Sequence, residues 1–299
     1  MLCDAGALRE VPSAEDPAFR ELRGRVLHAG GIDIGLYKDR CVLRRLGARL
    51  RAAGAADLAG YCRRLDADPG EIRRLVEALT VNVSEFLRNP GTFRALRREV
   101  LPALLAQRRA EGGRSIRVWS AGCATGEEPY SLAITFRERL GEALRDFLVA
   151  IYATDVDAPS LAAARAGRYR PPSLVRVPRH ILRRHFEADD RGYRVCGALR
   201  RMVHFRQHDL LAPVPFRRMD LVACRNVLIY MVRPFQERIL DALYDVLNPG
   251  GFLVLGKVEG LTGPARNRFE VVNLAERIYR KPCAASAGAA PAARREPQA

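Results

Sequence analysis

A strand, a turn with two glycines and the start of a helix follow one another in Val118-Trp119-Ser120-Ala121-Gly122-Cys123-Ala124-Thr125-Gly126-Glu127-Glu128-Pro129-Tyr130-Ser131. In open α/β sheets, ligands bind at the carboxyl ends of strands, where such a turn lies. Gly122 and Gly126 let the backbone approach a ligand closely and adopt dihedral angles that other residues resist. The segment therefore predicts a ligand-binding loop between a buried strand and a helix.

The residues of this loop argue against two common nucleotide sites. It has neither the G-x-G-x-x-G spacing of dinucleotide binders nor the G-K-[ST] of a P-loop. Its two acids, Glu127 and Glu128, would also repel a phosphate. A ligand with a cationic or hydroxyl-rich end is more compatible, and S-adenosylmethionine has both.

Two interpretations of Glu128 depend on where the helix begins. If Thr125 and Glu128 form a capping box, backbone amides occupy the Glu128 carboxylate. Proline prefers the first helical position, so Pro129 would instead make Glu128 the N-cap residue and leave its carboxylate available to a ligand. We favour the second interpretation.

The composition is typical of a soluble globular protein. The 299 residues are 48% hydrophobic and 28% charged, and no apolar run approaches the roughly 18–20 residues of a membrane span. Met1 to Glu15 has no basic-then-apolar signal pattern, so we expect a cytoplasmic protein without membrane insertion. Seven dispersed cysteines without a C-x-x-C pair, and five histidines without ligand spacing, predict reduced thiols and no metal site.

The net charge of +16 invites a nucleic-acid interpretation, which we discount. Lysine occurs only at Lys38, Lys257 and Lys281, so nearly all the positive charge is arginine, a bias that genome base composition often produces. Aromatic residues, which stack on single-stranded bases, make up only 7% of the chain. We expect no nucleic acid partner, although a basic surface indicates an acidic partner of some kind.

Helical patterns extend from about Asp16 to Ala106 and predict an all-α N-terminal domain over residues 16–100. The predicted helix Asp39–Ala53 has one apolar face, made of Val42, Leu43, Leu46 and Leu50. Its other faces carry Arg40, Arg44, Arg45, Arg49 and Arg51. Such charges usually form a solvated face. Five arginines with one nearby acid exceed what solubility needs, so an acidic partner helix is about equally plausible.

Strands and helices alternate from Ser115 onward and predict a mainly parallel sheet, covered on both faces, within a domain over residues 107–282. The predicted strands are 116–120, 147–154, 219–224 and 252–255, with two more in 268–281. The predicted helices are 129–140, 158–165 and 234–247, and Asn248-Pro249-Gly250-Gly251 predicts a sharp turn.

One stretch interrupts the alternation. Residues 180–186 have a helical pattern, whereas 192–196 and 202–207 have the pattern of short antiparallel strands. We therefore expect a small antiparallel β-subdomain at about 187–207, inserted in a Rossmann-like α/β domain. The tail 283–299, rich in alanine with proline and arginine, is expected to be disordered.

Polar residues follow four predicted strands, whose carboxyl ends face one crevice in such a sheet. Besides the loop up to Glu128, Asp155 ends a strand where an acid can accept hydrogen bonds from ribose hydroxyls. Asp209 can accept from an adenine amino group, and Arg225 with Asn226 ends the strand 219–224. Each also has a simpler interpretation, such as a helix cap, a turn cap or an ion pair. Together they predict a ligand site.

Two further segments have polar residues of interest. The loop after Arg225 carries Tyr230, and Leu79 to Pro90 at the end of the helical region is a polar segment. Asn82, Ser84 and Arg88 would lie on roughly one side of that segment if it coils. Alone, the segment would pass as an ordinary helix–loop junction.

These motifs resemble those of the chemotaxis protein-glutamate O-methyltransferases, the CheR family, from about Leu22 to Lys281. The most specific pieces are Leu79–Arg88, Ser120–Ser131, Ala153–Asp157 and Cys224–Tyr230. The resemblance implies an all-α N-terminal domain, then a doubly wound, class I methyltransferase domain with an inserted small antiparallel β-subdomain. It also implies methyl transfer from S-adenosylmethionine, which leaves as S-adenosylhomocysteine, to glutamate side chains of methyl-accepting chemotaxis receptors.

The resemblance implies roles for individual residues. Glu128 would hold the amino group of the methionine moiety and Asp155 the ribose, while Arg88 and Tyr230 would lie nearest the transferred methyl group as catalytic residues. The candidate cofactor-binding residues are then Asn82, Ser84, Arg88, Gly122, Glu128, Asp155, Asp209, Leu210, Arg225 and Asn226. The family's basic helix contacts the acidic cytoplasmic helices of receptors, which implies substrate-binding roles for Arg40, Arg44, Arg45 and Arg51.

The chain departs from the family at a few positions. Ser84 replaces a common threonine and keeps its hydroxyl, and Leu87 replaces a frequent phenylalanine. Asp209 stands where some members have asparagine. The turn Glu187–Arg191 is short for docking a receptor's C-terminal pentapeptide, which weakly disfavours such a tether.

Two other function classes stay open on the sequence. One is a docking module that keeps a cofactor pocket without catalysis, although Arg88, Glu128, Asp155 and Tyr230 are all intact. The other is a methyltransferase for nucleic acid or a small molecule. Against nucleic acid, the strand end lacks an N-P-P-Y or D-P-P-Y motif and has Cys224-Arg225-Asn226-Val227 instead.

Overall fold

A computed structural model gives the fold of residues 16–79 and 84–283. The predicted tail beyond Cys283 and the candidate residue Asn82 lie outside these ranges. Within them, no helix is long and apolar enough to cross a lipid bilayer. The chain begins with a packed set of helices: Pro17–Gly30 (α1), Asp39–Ala53 (α2), Leu58–Ala67 (α3) and Glu71–Leu79 (α4).

The helix α2 has the bounds and the buried face that the sequence predicts. Val42, Leu46 and Leu50 are buried in the core of the helical region, and Leu43 packs against that core. The helix ends where Gly54 adopts φ +70° and its amide donates to carbonyls of the last turn. This left-handed conformation favours glycine, so the sequence itself stops the helix there.

A buried carboxylate joins three of these helices. Glu71 accepts two hydrogen bonds from Arg49, both 2.6 Å long, one from the Tyr61 hydroxyl at 2.6 Å and one from Arg74 at 2.9 Å. The hydrogen-bonded Arg49 is the main cause that lowers the pKa of Glu71 to about 2. Because the pKa of an unfolded glutamate is about 4.3, this group stabilises the fold above that pH. The stabilisation is lost as the pH falls towards 2.

Replacing Glu71 by glutamine is expected to lower the free energy of unfolding at pH 7 by about 2–3 kcal/mol, because hydrogen bonds to a buried charge are lost. The difference from the wild type should shrink as the pH falls from 5 towards 2. Urea unfolding at several pH values measures both effects. Exposed Glu142→Gln is the control, and an unchanged stability of the Glu71 variant at pH 7 would contradict this account.

A seven-stranded sheet and a three-stranded sheet follow the helical region. The strands are Ser115–Ala121 (β1), Leu148–Asp155 (β2), Arg168–Tyr169 (β3), Phe186–Asp189 (β4), Gly192–Val195 (β5), Val203–Gln207 (β6), Met219–Cys224 (β7), Leu247–Leu255 (β8), Glu270–Asn273 (β9) and Ile278–Arg280 (β10). The large sheet has the order β6-β2-β1-β7-β8-β10-β9. Its first five strands, β6, β2, β1, β7 and β8, are parallel to one another, whereas β10 and β9 pair antiparallel at one edge. This is the Rossmann-like architecture that the sequence predicts.

Helices cover both faces of the large sheet. They are Pro90–Ala95 (α5), Leu101–Ala110 (α6, joined to α5 by a π-helical turn at Leu96–Val100), Glu127–Leu140 (α7), Ala158–Ala166 (α8), Arg179–His185 (α9), Gly197–Arg200 (α10), Arg233–Val246 (α11) and Ala265–Arg268 (α12). Alternate residues of the central strands enter different cores: Val118 and Leu221 join one, and Trp119 and Val222 the other. Burial on both faces explains why these strands place apolar residues at successive positions and not only at alternate ones.

Two predictions about strands are wrong in part. Residues 203–207 do not belong to an antiparallel subdomain, because β6 pairs parallel with β2 at the edge of the large sheet. The small antiparallel sheet is instead β3-β5-β4, within residues 168–195 rather than 187–207. A five-residue strand pattern with only Val203 and Phe205 apolar does not specify its pairing partner, and here the partner is β2.

The predicted turn at residues 248–251 lies inside β8. Pairing with β7 jumps from Met219–Leu247 to Leu221–Phe252, so the residues between bulge out of register. Gly250 takes φ +75° within this bulge. The turn signal therefore marks an irregularity at the start of the strand, not a separate loop.

Candidate functional site

A cleft opens at the carboxyl ends of the parallel strands, beside the first turn of α7. Its volume is about 1060 Å³ including the space at its open mouth. The structure brings together at this cleft nearly all the predicted residues: Ser84, Arg88, Gly122, Glu128, Asp155, Asp209, Leu210, Arg225, Asn226 and Tyr230.

Helix α7 begins two residues earlier than predicted. Gly126 is its N-cap residue at φ +94°, and no side-chain cap hydrogen bond forms. Both interpretations of the helix start are therefore wrong, and Pro129 is the third helical residue. A Cβ at position 126 would lie 2.8 Å from Ala164 Cβ and 2.9 Å from the Tyr169 hydroxyl oxygen. Tertiary packing thus requires glycine here, and the Glu128 side chain lines the cleft.

Two side chains hold the Glu128 carboxylate. Ser120 Oγ donates to it at 2.8 Å, and Arg225 forms an ion pair with it at 3.3 Å. Burial raises the pKa of Glu128 and nearby Glu259 adds to this effect, whereas Arg225 and Ser120 oppose it. A buried negative charge is costly, and a cationic ligand group beside it would offset that cost.

Arg225 is almost fully buried and joins Glu128 to the segment that carries Arg88. Its guanidinium donates to the Arg88 carbonyl at 2.7 Å and to the Asn89 side-chain oxygen at 3.2 Å. The guanidinium also lies 5.3 Å from the centre of the Phe93 ring. These bonds are directed at the protein, so Arg225 positions both Glu128 and the Arg88 backbone.

Asp155 ends β2 with both carboxylate oxygens bonded to backbone amides. Ala124 N donates to one oxygen at 2.8 Å and Asp157 N to the other at 3.0 Å. A carboxylate has about four lone-pair sites, so both oxygens can still accept from hydroxyl groups. Burial raises the pKa of Asp155, although the two amides favour its charged form. Asp157 itself caps α8, as its sequence position indicates.

Gly122 brings bare backbone to the cleft. Its φ is +77°, and a Cβ there would lie 2.4 Å from Val227 Cγ2. The amides of Gly122 and Cys123 both donate to the Thr154 carbonyl, at 2.8 and 2.9 Å. These two hydrogen bonds hold the loop against the end of β2. Because Gly122 has no side chain, a ligand can approach its backbone closely.

Asp209 lies after β6 at the edge of the cleft. Its carboxylate accepts from the Leu211 amide at 2.9 Å, so it caps a turn as well as lining the cleft. The sequence analysis missed its neighbour His208, whose Nε2 is buried without a hydrogen-bond partner among the described residues. Burial lowers the pKa of His208, which favours its neutral form. A single histidine after a strand gives no signal of such a position.

The helical region also contributes Tyr37 to the cleft, a contact that the sequence does not predict. Tyr37, between α1 and α2, lines the cleft and pairs with Met231 as an antiparallel bridge. The Lys38 amide donates to the Tyr230 carbonyl at 2.8 Å. Burial, followed by nearby carboxylates, raises the pKa of Tyr37 to about 12. No periodic pattern marks this loop, so only the tertiary fold reveals the contact.

Arg88 and Tyr230 line the cleft from two loops. Residues 84–89 form a turn rather than a helix, with Leu87 at φ +54° and Asn89 at φ +60°. The Leu87 amide donates to the Ser131 hydroxyl at 2.9 Å, which fixes the segment on α7. The segment is thus bonded to α7 on one side and lines the cleft on the other.

The arginines of α2 separate into two groups. Arg40, Arg44 and Arg51 are exposed. Arg45, in contrast to the prediction, does not lie on the exposed face: it donates to the Leu79 carbonyl at 3.1 Å and lies 5.7 Å from the centre of the Tyr230 ring. The last carbonyls of a helix have no partner within it, and Arg45 satisfies those at the end of α4.

The cleft fits the S-adenosylmethionine that the sequence predicts. It offers one partly buried acid for a cation, Glu128, and a second for hydroxyl groups, Asp155. Bare backbone at Gly122 and apolar side chains at Val156 and Leu210 complete this part of the lining. Among the described residues, no three His, Cys, Asp or Glu side chains are placed to hold a metal ion, and no disulfide joins the six described cysteines.

Two family models match the chain. The model "CheR methyltransferase, all-alpha domain" matches residues 17–80, and "CheR methyltransferase, SAM binding domain" matches residues 82–278. Chemotaxis protein methyltransferase 2 of Pseudomonas aeruginosa is 37% identical over 81% of this chain and 85% of that protein. The probable chemotaxis protein methyltransferase of Rhizobium etli is 33% identical over 83% of this chain and 94% of that protein. An uncharacterized 104.1 kDa protein of Rhodobacter capsulatus is 35% identical over 91% of this chain, which spans only 28% of that protein.

Proposed function

The chain belongs to the CheR methyltransferase family, and we propose that it transfers a methyl group from S-adenosylmethionine to glutamate side chains of methyl-accepting chemotaxis receptors. One observation carries the proposal: a single cleft joins two partly buried acids to an arginine and a tyrosine, next to a basic helix. The match to a SAM-binding model supports the cofactor, and relatives named chemotaxis methyltransferases support the signalling role.

The residues of the cleft divide between the parts of the cofactor. Glu128 would bind the amino group and Asp155 the ribose hydroxyls. Asp209 and Leu210 would bind the adenine. Bound S-adenosylmethionine supplies an electrophilic methyl group on a positively charged sulfur.

A glutamate acceptor requires no general base from this chain. Its reference pKa is about 4.3, so it is already ionised at neutral pH. Arg88 would orient the acceptor carboxylate, and Tyr230 would position the carboxylate or the methyl group. Such positioning can lower a barrier by roughly 7–11 kcal/mol. Full pairing with Arg88 would weaken the nucleophile, so we expect that pairing to loosen during transfer.

The exposed arginines of α2 would recognise the acidic receptor helices. Changing Arg40, Arg44 and Arg51 together to glutamate should raise the KM for receptor roughly 10-fold at low salt and leave kcat within about twofold, because exposed charges steer and align partners. The effect should shrink as salt screens the charges. Methylation kinetics at several receptor concentrations measure it.

A control variant separates this role from net charge. Changing three exposed arginines elsewhere, Arg97, Arg98 and Arg217, lowers the net charge equally. If both triple variants raise KM alike, the α2 surface is not the recognition surface.

The proposal is tested by transfer of tritiated methyl from S-adenosylmethionine to membranes that contain the receptors, followed by alkali. Counts released as volatile methanol are expected, since carboxyl methyl esters hydrolyse in base. Alkali-stable counts would mean another acceptor, and a salt-sensitive shift of RNA in a gel would then favour nucleic acid. Cofactor binding without any transfer to receptor-containing membranes would favour a docking module.

We also propose that no receptor C-terminal pentapeptide docks on the small sheet. The β4–β5 hairpin pairs Asp189 with Gly192 and so has a turn of only two residues, which leaves no extended loop there to hold a peptide. A peptide with the receptor's C-terminal sequence should then leave the methylation rate unchanged, and competition by that peptide would overturn this expectation.

A further inference from the structure

Glu259 is a buried acid to which the reaction assigns no role. It lies just after β8, beside the cleft, and is 5% exposed. Its two oxygens accept hydrogen bonds from four backbone amides: Gly256 at 2.5 Å, Asn226 at 2.8 Å, Val227 at 2.8 Å and Ile229 at 3.3 Å. Three of these four amides belong to the loop that follows β7.

That loop carries residues that line the cleft. Asn226, at φ +61°, and Tyr230 both do so. From the other side, the helical region holds the end of the loop, through Lys38 N to the Tyr230 carbonyl at 2.8 Å and Val232 N to the Leu36 carbonyl at 3.1 Å. Glu259 therefore fixes one side of a loop whose other side contacts the helical region.

A charged carboxylate suits this position better than any neutral group of its shape. An ionised glutamate has two oxygens and only acceptor sites, so it can meet several N–H groups that converge. Glutamine would present an NH₂ group to some of the same N–H donors, and these buried donors would lose their partners. There is little room to rearrange, because a Cβ on Gly256 would lie 2.5 Å from Glu259 Oε2 and 2.8 Å from Asn226 N.

We propose that Glu259 is a positioning residue for methyl transfer: by binding the amides of residues 226–229, it sets the places of Asn226 and Tyr230 in the cleft. The proposal rests on the proposed function for its rate effect, and on the loop geometry alone for its structural effect. Glu259 is not among the residues that line the cleft, and its hydrogen bonds connect it to the reaction through the loop.

The test compares Glu259→Gln with Asp220→Asn in the full chain. Asp220 is a buried acid near the opposite end of β7, 3% exposed, and it accepts from Arg117 N at 2.8 Å and from Asn248 Nδ2 at 2.7 Å. Both variants remove one buried charge with backbone contacts. Only Glu259 contacts the loop, so a general loss of stability should affect both variants alike.

Two measurements are made on each variant. Hydrogen exchange should show at least tenfold faster exchange of the amides of residues 226, 227 and 229 in Glu259→Gln and no change there in Asp220→Asn. In methyl transfer to receptor membranes, kcat should fall roughly 10-fold to 10²-fold in Glu259→Gln, as for a misplacement of about 1 Å. The KM of Glu259→Gln for receptor should stay within about twofold of the wild type. The kcat of Asp220→Asn should also stay within about twofold.

The outcomes separate this proposal from the proposed function. Unchanged exchange at residues 226–229 overturns the role of Glu259, whatever the acceptor is. Faster exchange with wild-type kcat overturns its role in transfer, and equal losses of kcat in both variants indicate mere destabilisation. If the wild type transfers no methyl to receptors, the proposed function fails and the exchange result alone decides whether Glu259 holds the loop.

Discussion

Replacing Arg88 by alanine should lower kcat for receptor methylation by about 10²–10³-fold, the usual cost of removing one preorganised charged or polar group from a reaction centre. The affinity for S-adenosylmethionine should change far less. The geometry supports this separation, because Arg225 binds the Arg88 backbone carbonyl at 2.7 Å. The backbone carbonyl of residue 88 is thus held by a group other than its own side chain, and truncation removes the guanidinium from the cleft while this bond remains.

Single-turnover methylation and titration with S-adenosylhomocysteine measure the two effects separately. Arg97→Ala, at an exposed position in the π-helical turn after α5, is the control and should behave as the wild type. Arg88→Lys should recover part of the rate, since it restores the charge but not the paired donors of a guanidinium. Near-normal turnover of Arg88→Ala would exclude Arg88 from catalysis.

The elements of the sheet could be predicted where local pattern and tertiary burial agree. Strands β1 and β7 have apolar residues on both faces, a pattern typical of a strand that lies between two cores. The helix α2 was predicted to its end because Gly54 supplies a left-handed cap. The partner of β6 could not be predicted, because five residues specify a strand but not its neighbour. The start of α7 was missed because contacts of Gly126 with Ala164 and Tyr169 decide it.

The residues of the site could likewise be predicted only where local sequence determines their position. Acids at strand ends could be found because the carboxyl edge of a parallel sheet is a known place for ligands. Tyr37 and Glu259 could not be found, since each reaches the site from a segment without periodicity. For Arg45 the prediction itself is wrong. The sequence groups it with the exposed arginines of α2, but its guanidinium donates to the Leu79 carbonyl at the end of α4. Contacts between distant segments are what a single sequence does not reveal.

Replacing Glu128 by glutamine should weaken binding of S-adenosylhomocysteine, which keeps the amino group and ribose of the cofactor, by about 10²–10³-fold. Removing one partner of a buried charge pair costs about 2–5 kcal/mol or more, part of it because the other charge is left unpaired. In the complex that other charge is the ammonium group of the ligand; Arg225, 3.3 Å from Glu128 and almost fully buried, would lose its partner in the free and the bound protein alike. Isothermal titration measures the affinity. Glu138→Gln, near the far end of the same helix and bonded to His185, is the control.

The pH dependence gives a second and independent test of Glu128. Because burial raises its pKa and that of Asp155, each acid loses its charge at a higher pH than usual as acid is added. A cationic group binds the charged form, so as the pH is lowered from 7 the wild-type affinity should begin to fall above the usual titration range of a carboxyl group, and the Glu128→Gln variant should show a smaller change. The effect on stability has the opposite sign. In the protein without ligand, an acid with a raised pKa favours the folded state when it is protonated. The loss of affinity at lower pH is therefore not caused by unfolding. Melting temperatures over the same range check that point, and an equal pH dependence of affinity in both proteins would exclude Glu128 as the partner of the cation.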